Sequence, residues 1–186
     1  MPIVPTIQGS CFVLRQIRES DIDDRFIIGR HHDFIHMCGG ESLPAPEFPD
    51  RSVWEGWYAS HLDDECSWII DVDNHCIGSA GFHHVSREDN SATYRIGIFD
   101  PAFHSKGIGT EVTKLLMKYG FEMMKWHRID LKVLEYNVRG VRCYEKCGFK
   151  VDGILRENAF VEGKYYSDII MSILDYEYQC LLADQK

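Results

Sequence analysis

The spacing of hydrophobic positions changes several times along the chain, and each change marks an element. Apolar and polar residues mix at strand spacing over 11–17 (CFVLRQI). Ser20 then precedes acidic residues and the apolar Ile22, Phe26 and Ile27, which predicts a capped helix. Ser52 and Glu55 have capping-box spacing and predict a helix ending near Leu62. Apolar runs over 66–72 and 76–85 flank Asp73, Asn74 and His75, a hairpin signal. A further strand spans 92–99. Over 109–125, Val112, Leu115, Leu116, Tyr119 and Met123 follow helical spacing and predict one buried stripe. Alternation returns over 128–133. A short helix over 138–147 comes next, with Asn137 as its N-cap and Gly148 as its stop. Strands over 150–156 and 165–174 meet at a Glu162–Gly163 turn, and a polar tail ends the chain. The stretch 39–50, with three prolines, reads as a surface loop.

Strands and helices interleave within 186 residues. That order predicts a single α/β domain over 1–186, with its core from about 10 to 175 and one mixed sheet carrying helices on both faces. The composition, 45% hydrophobic and 26% charged, excludes a disordered or collagen-like chain.

The net charge of −9, from 29 acidic and 20 basic residues, speaks against general binding to nucleic acid or anionic membrane. Such a field serves solubility or attracts cations such as amines. No apolar run reaches the roughly 18 residues of a transmembrane helix, and no basic region precedes an apolar stretch as in a signal peptide. Seven cysteines, an odd number with no CxxC, fit free thiols in a reducing cytoplasm. His31, His32, His36 and Cys38 match no zinc spacing, so no metal is expected.

Two segments carry chemistry. The first, HSKGIGT at 104–110, lies between a strand and the long helix. Gly107 and Gly109 let the backbone bend and expose consecutive amides, and Lys106 adds positive charge. Alone, the segment reads equally as a pyrophosphate cradle or as a glycine-rich turn. A dinucleotide loop would need a third glycine where Val112 stands, and a Walker loop would need GxxxxGK followed by Ser or Thr. The second segment is NVRGVRCYEKCGF at 137–149. Asn137 and Tyr144 are two helical turns apart and share a face, with Gly140 between them leaving room for a ligand. They read either as ligand-orienting groups or as a helix cap and a core tyrosine.

Together the two segments resemble the GNAT superfamily of acyl-CoA-dependent N-acetyltransferases. The ending GILRE at 153–157 and EGKYYSDIIMS at 162–172 looks like the subgroup of ribosomal-protein alanine and spermidine acetyltransferases. The resemblance covers about 11–174. It implies a mixed, mostly antiparallel sheet split into a V between the 92–99 and 128–133 strands, with acetyl-CoA in the V. It further implies that backbone groups near Ile98 and Phe99 hold the pantetheine. Carried onto this chain, His104, Ser105, Lys106, Gly107, Ile108, Gly109 and Thr110 form the pyrophosphate loop. Asn137 contacts the pantetheine arm, and Tyr144 protonates the departing thiolate. The partners implied are acetyl-CoA and an amine acceptor, and many relatives pair as homodimers.

The chain departs from the family pattern at three places. His104 replaces Gln or Arg, Gly140 replaces Ala or Ser, and Arg95 stands where many relatives carry a glutamate, the usual base. Acetylation of an amine needs a proton acceptor, and His83 or His84, adjacent on one strand and so predicted to point to opposite faces, is the candidate. Each reads alternatively as a satisfied or solvent-facing histidine. Glu157 and Asp168 are candidates for an acceptor's positive charge. Trp54, Trp57, Tyr58, Phe34 and Phe48 are candidates for an acceptor lid or for core packing. Cys143 and Cys147 are expected in the core. The rival to an N-acetyltransferase is a non-catalytic acyl-CoA-binding regulatory or interaction module of the same fold.

Overall fold

The computed structural model describes residues 4–40, 46 and 48–183. Half of the predicted 39–50 loop lies outside them. Among the described residues one eight-stranded sheet forms, in the spatial order β1-β2-β3-β4-β5-β6-β8-β7. Its strands are β1 (Ile7–Gln8), β2 (Val13–Arg15), β3 (Ser67–Val72), β4 (His75–Ser86), β5 (Ser91–Ile98), β6 (Arg128–Leu134), β7 (Lys150–Val161) and β8 (Lys164–Leu174). Every neighbouring pair is antiparallel except β5 and β6. The helices are α1 (Asp21–Ile28), α2 (His32–Met37), α3 (Arg51–Leu62), α4 (Ile108–Lys118), α5 (Val138–Lys146) and α6 (Asp175–Ala183). No helix among the described residues is long and apolar enough to cross a membrane.

The pleat sorts the core into two layers. Trp68 and Ile70 of β3 point into the larger cluster, which takes in Val112 and Leu116 of α4 and Tyr178 of α6. Ile69 points to the other face and joins Cys76 and Phe99, covered by Ile28, Phe34, Trp57 and Tyr58 from α1, α2 and α3. Beneath α1, the buried guanidinium of Arg15 is held by two carboxylates, bidentate by Asp21 (2.8 and 2.7 Å) and through Nε by Asp71.

Several predicted features differ in the structure. Asp50 rather than Ser52 precedes α3, so Ser52 lies inside the helix and Glu55 pairs with Arg51 at 3.4 Å instead of closing a capping box. The β3–β4 turn is only Asp73 and Asn74, both at positive φ (52° and 67°), and His75 already pairs with Val72. The long helix opens into a π turn at Tyr119–Met123. The widened turn shifts the facing of its residues, so Phe121 is buried while Met123, predicted on the stripe, is 71% exposed. The predicted polar tail forms α6, whose Tyr178 stacks on Phe121 at 4.9 Å.

Candidate active site

The sheet splits because β5 and β6 stay paired over only three positions, Ser91–Arg128, Ala92–Ile129 and Thr93–Asp130. Beyond them β6 remains paired with β8 as far as Leu134–Asp168, while β5 remains paired with β4 as far as Ile98–Gly78. The two strands therefore separate and leave a cleft of about 770 Å³. The loop between β5 and α4 closes one side of this cleft, α5 another, and α2 with the β7–β8 hairpin the rest.

The glycine loop is shaped by local chemistry. Asp100 accepts from the Ala102 amide at 2.8 Å and caps a 3-10 turn at Pro101–Phe103. His104 Nε2 then donates to the Ile98 carbonyl at 3.0 Å, which fixes the tautomer and ties the loop to the end of β5. Ser105 and Gly107 take positive φ (59° and 85°) and turn the chain back on itself, and buried Ile108 anchors it. The first helical bond of α4 is Glu111 N–H to Gly107 O at 3.1 Å. The amides of Ile108, Gly109 and Thr110 come before it and have no helical acceptor. Glu111, the acidic residue of that first turn, instead accepts two hydrogen bonds from Ser10, at 2.7 and 2.6 Å.

On α5, Asn137 Oδ1 accepts from the Gly140 amide at 2.9 Å, the predicted cap. Gly140 serves that cap: a Cβ there would stand 3.0 Å from the Asn137 side chain. Tyr144 lines the cleft, with its ring edge-on to Tyr94 (6.4 Å) and Phe149 (5.9 Å). Burial pushes its phenol well above the ordinary value, so it stays protonated. Arg139, Arg142 and Lys146, at positions i, i+3 and i+7 of this helix, put further positive charge on the cleft wall beside Lys106. The sequence contained that basic stripe, and its helical spacing was the signal that could have found it.

The histidine pair departs from prediction. His84 has φ 48° and the β4–β5 register slips between His83 and Ser86, so alternation is broken. The two rings do not point to opposite faces. They lie side by side, 4.5 Å between centroids. His83 lines the cleft, whereas His84 is exposed outside it. Burial, then the charges of His84 and Arg95, lowers the His83 pKa, and its Nδ1 is buried without a hydrogen-bond partner. Arg95 is paired with Asp64 at 3.0 Å.

Of the two residues expected to hold an extended ligand by their backbone, Ile98 faces the cleft. The Phe99 amide bonds the other way, to Ile77 O at 2.8 Å, and its ring lies beneath the Arg25 guanidinium at 3.8 Å in the second core layer. Asp168 lines the cleft and is only 3% exposed, accepting from Asn158 Nδ2 at 2.6 Å with Lys132 Nζ 3.3 Å away. Glu157 lies on a bulge of β7 outside the cleft. Of the aromatic candidates, Phe34 reaches the cleft wall together with Met37 and Cys38. Trp54 is buried under Arg25, Trp57 and Tyr58 pack in the second layer, and Phe48 is exposed. His32 and His36 turn toward Glu162, at 2.8 and 3.6 Å, and no cluster able to hold a metal forms among the described residues.

Residues 12–150 match the family described as Acetyltransferase (GNAT) domain. The chain is 34% identical over 176 residues to the "Probable N-acetyltransferase YjcK" of Bacillus subtilis (strain 168), covering 91% of this chain and 97% of that one. It is 29% identical over 131 residues to a spermidine N(1)-acetyltransferase of Escherichia coli (strain K12), covering 69% and 68%. Among solved structures, that of spermidine N-acetyltransferase from Vibrio cholerae in complex with CoA and spermine superposes with a TM-score of 0.76 at 24% identity, covering 92% of this chain and 99% of that one. With this fold, a match over most of its length and relatives that are N-acetyltransferases, the chain belongs to the GNAT acetyltransferase family.

Proposed function

We propose that the protein moves an acetyl group from acetyl-CoA directly to a primary amine. The observation that carries this reading is convergence: the helix-opening amides, the Asn137–Tyr144 face of α5 and His83 all meet in the cleft opened by the parting of β5 and β6. The residues present fit the cosubstrate. Three amides without helical acceptors and the cations Lys106, Arg139, Arg142 and Lys146 suit a diphosphate, and the backbone of Ile98 offers an extended arm a strand edge. Acetyl-CoA would supply a thioester, an acyl group already activated toward amines.

The chain's own groups then have distinct tasks. Tyr144, kept protonated by burial, hands a proton to the departing sulfur. His83, kept neutral by burial, takes the proton that the attacking amine must lose. The cleft-facing amide of Ile98 stabilises negative charge as it develops on the acyl oxygen. Arg95, engaged with Asp64, takes no part in proton transfer.

The acceptor is a small amine, a polyamine or a peptide N-terminus. The relatives named spermidine N(1)-acetyltransferase support an amine, and Asp168 on the cleft wall is the carboxylate that would meet its charge. Thiol release from acetyl-CoA across a panel of polyamines, small amines and peptides tests the reading. Turnover with at least one amine is expected. Tight acetyl-CoA binding without turnover on any of them would overturn it in favour of a non-catalytic acyl-CoA module.

A further inference from the structure

Cys143 and Cys147 occupy successive turns of the helix that bears Tyr144, and both face Thr110 at the start of α4. Thr110 Oγ1 lies 3.4 Å from Cys143 Sγ, and Cys147 Sγ lies 3.5 Å from the Thr110 carbonyl. Cys147 is buried, whereas Cys143 is half-buried and lines the cleft. The arrangement is asymmetric: half-buried Cys143 is part of the cleft wall, and buried Cys147 is not. We propose that Cys143 is a modifiable thiol in the cofactor cleft, able to form a mixed disulfide with small disulfides such as glutathione disulfide, and that this modification and cofactor occupancy exclude one another. The exclusion rests on the reading that acetyl-CoA occupies this cleft; the reactivity of the thiol does not.

The electrostatics support the assignment. Hydrogen bonding from Cys147, whose S–H leaves its long contact with the Thr110 carbonyl for the thiolate, then from Thr110, together with the charge of Lys146, lowers the Cys143 thiol pKa against the cost of burial. Thr113 adds nothing to it, because its one hydroxyl proton goes to the Gly109 carbonyl at 2.7 Å. Cys147 is pushed up in return and keeps its proton, although Lys114 on α4 opposes this. Cys38, on the α2 side of the same cleft, is an exposed thiol that no hydrogen bond or cation among the described residues activates.

The step is a thiol–disulfide exchange. The Cys143 thiolate attacks one sulfur of the disulfide, a new S–S bond forms and the old one breaks. The leaving thiolate takes a proton from water, so glutathione disulfide is the only oxidant needed. A free thiol reverses the step. The attached tripeptide would lie against Thr110, where the phosphate loop opens.

In mildly acid solution a thiol of lowered pKa holds more thiolate than an ordinary one, and this outweighs the loss of nucleophilicity that accompanies the lower pKa. The test is therefore exposure to glutathione disulfide at pH 6, with peptide mass mapping of all seven cysteines. Cys143 is expected to be modified first, and Cys147→Ala, which removes the stabilising donor, should slow it several-fold. Saturating coenzyme A should protect Cys143 at least tenfold, and the modified protein should lose coenzyme A binding until treated with dithiothreitol. Faster modification of exposed Cys11, Cys38 or Cys180 than of Cys143 would overturn the reactivity. Equal modification with and without coenzyme A would overturn the exclusion where calorimetry shows coenzyme A bound to the unmodified protein. If calorimetry shows no binding, the cofactor reading has failed and the exclusion falls with it, while the reactivity stands or falls on the mapping alone.

Discussion

His104 Nε2 donates a hydrogen bond to the carbonyl of Ile98, 3.0 Å away, and this contact ties the glycine loop to the last residue of β5. The carbonyl belongs to the one residue of the Ile98–Phe99 pair whose backbone is turned from β4 toward the cleft. His104→Ala frees both ends of the contact. A neutral hydrogen bond is worth about 1 kcal/mol, so KM for acetyl-CoA should rise by roughly three- to tenfold with little change in kcat. Steady-state kinetics with varied acetyl-CoA checks this; an unchanged KM would mean that the loop holds its shape without the histidine.

The two loop glycines should behave differently. A Cβ at Gly109 meets only Ile98 Cδ1 at 3.7 Å, an ordinary contact, whereas Gly107 sits at φ 85°. Gly109→Val should therefore fold and lose acetyl-CoA binding, by blocking backbone approach. Gly107→Ala should cost about 1–2 kcal/mol of stability through the left-handed conformation. Calorimetry and urea unfolding on the two variants separate the effects, and wild-type affinity in folded Gly109→Val would remove the loop from the binding site.

Tyr144→Phe should lower kcat by roughly 10²–10⁴-fold with acetyl-CoA affinity nearly unchanged. A thiolate is a fair leaving group, with a reference pKa of about 8.5, so residual activity is expected. Because burial raises the phenol, no alkaline fall in rate should be traceable to Tyr144 below pH 10, which is about its unperturbed pKa. Wild-type kcat in the variant, with acyl transfer shown to be rate-limiting, would end its assignment as the acid.

The base has its own pH signature. In the proposed mechanism the neutral imidazole of His83 is the active form, so the rate should fall as pH drops through the His83 pKa. That pKa is lowered by burial and by the charges of His84 and Arg95, so the acidic limb should lie below the ordinary histidine value of about 6.5. His83→Gln should abolish that limb. His84→Gln should keep it and move it slightly upward, because one source of repulsion is gone. A pH–rate profile that is identical in His83→Gln and wild type would place the base elsewhere.

Stability should hinge on the Arg15 site. Asp21 is fully buried and gives both carboxylate oxygens to Arg15, whose pKa is raised by Asp21 and Asp71 despite the opposing cost of burial. Asp21→Ala leaves a buried cation with one carboxylate, Asp71, and the Gln16 carbonyl, and should cost about 3–5 kcal/mol. A loss in urea unfolding under about 1 kcal/mol, the scale of a solvent-exposed pair, would show that water reaches the guanidinium.

What the sequence determined by itself is local. The strands and most helices, the Asn137 cap, the glycine loop and the shared face of Asn137 and Tyr144 all come from spacings of a few residues, which backbone geometry converts directly into structure. The tertiary structure decided what depends on partners far along the chain. The cleft exists because β6 stays with β8 rather than β5 after Thr93, a choice made by pairing between segments distant in the chain. His83 rather than His84 faces it because a register slip and one positive φ overrule the two-residue alternation that would have separated them. Met123 left the core because the π turn added a residue within one turn of helix, and the polar C-terminal segment became a helix because Tyr178 found Phe121 to stack on. Asp168 and Lys132 meet on neighbouring strands, and the Arg25 cation of α1 lies over Trp54 of α3 and over Phe99, just past β5. No periodicity encodes such meetings, because the free energy that selects them comes from burying surfaces brought together only when the whole chain has folded.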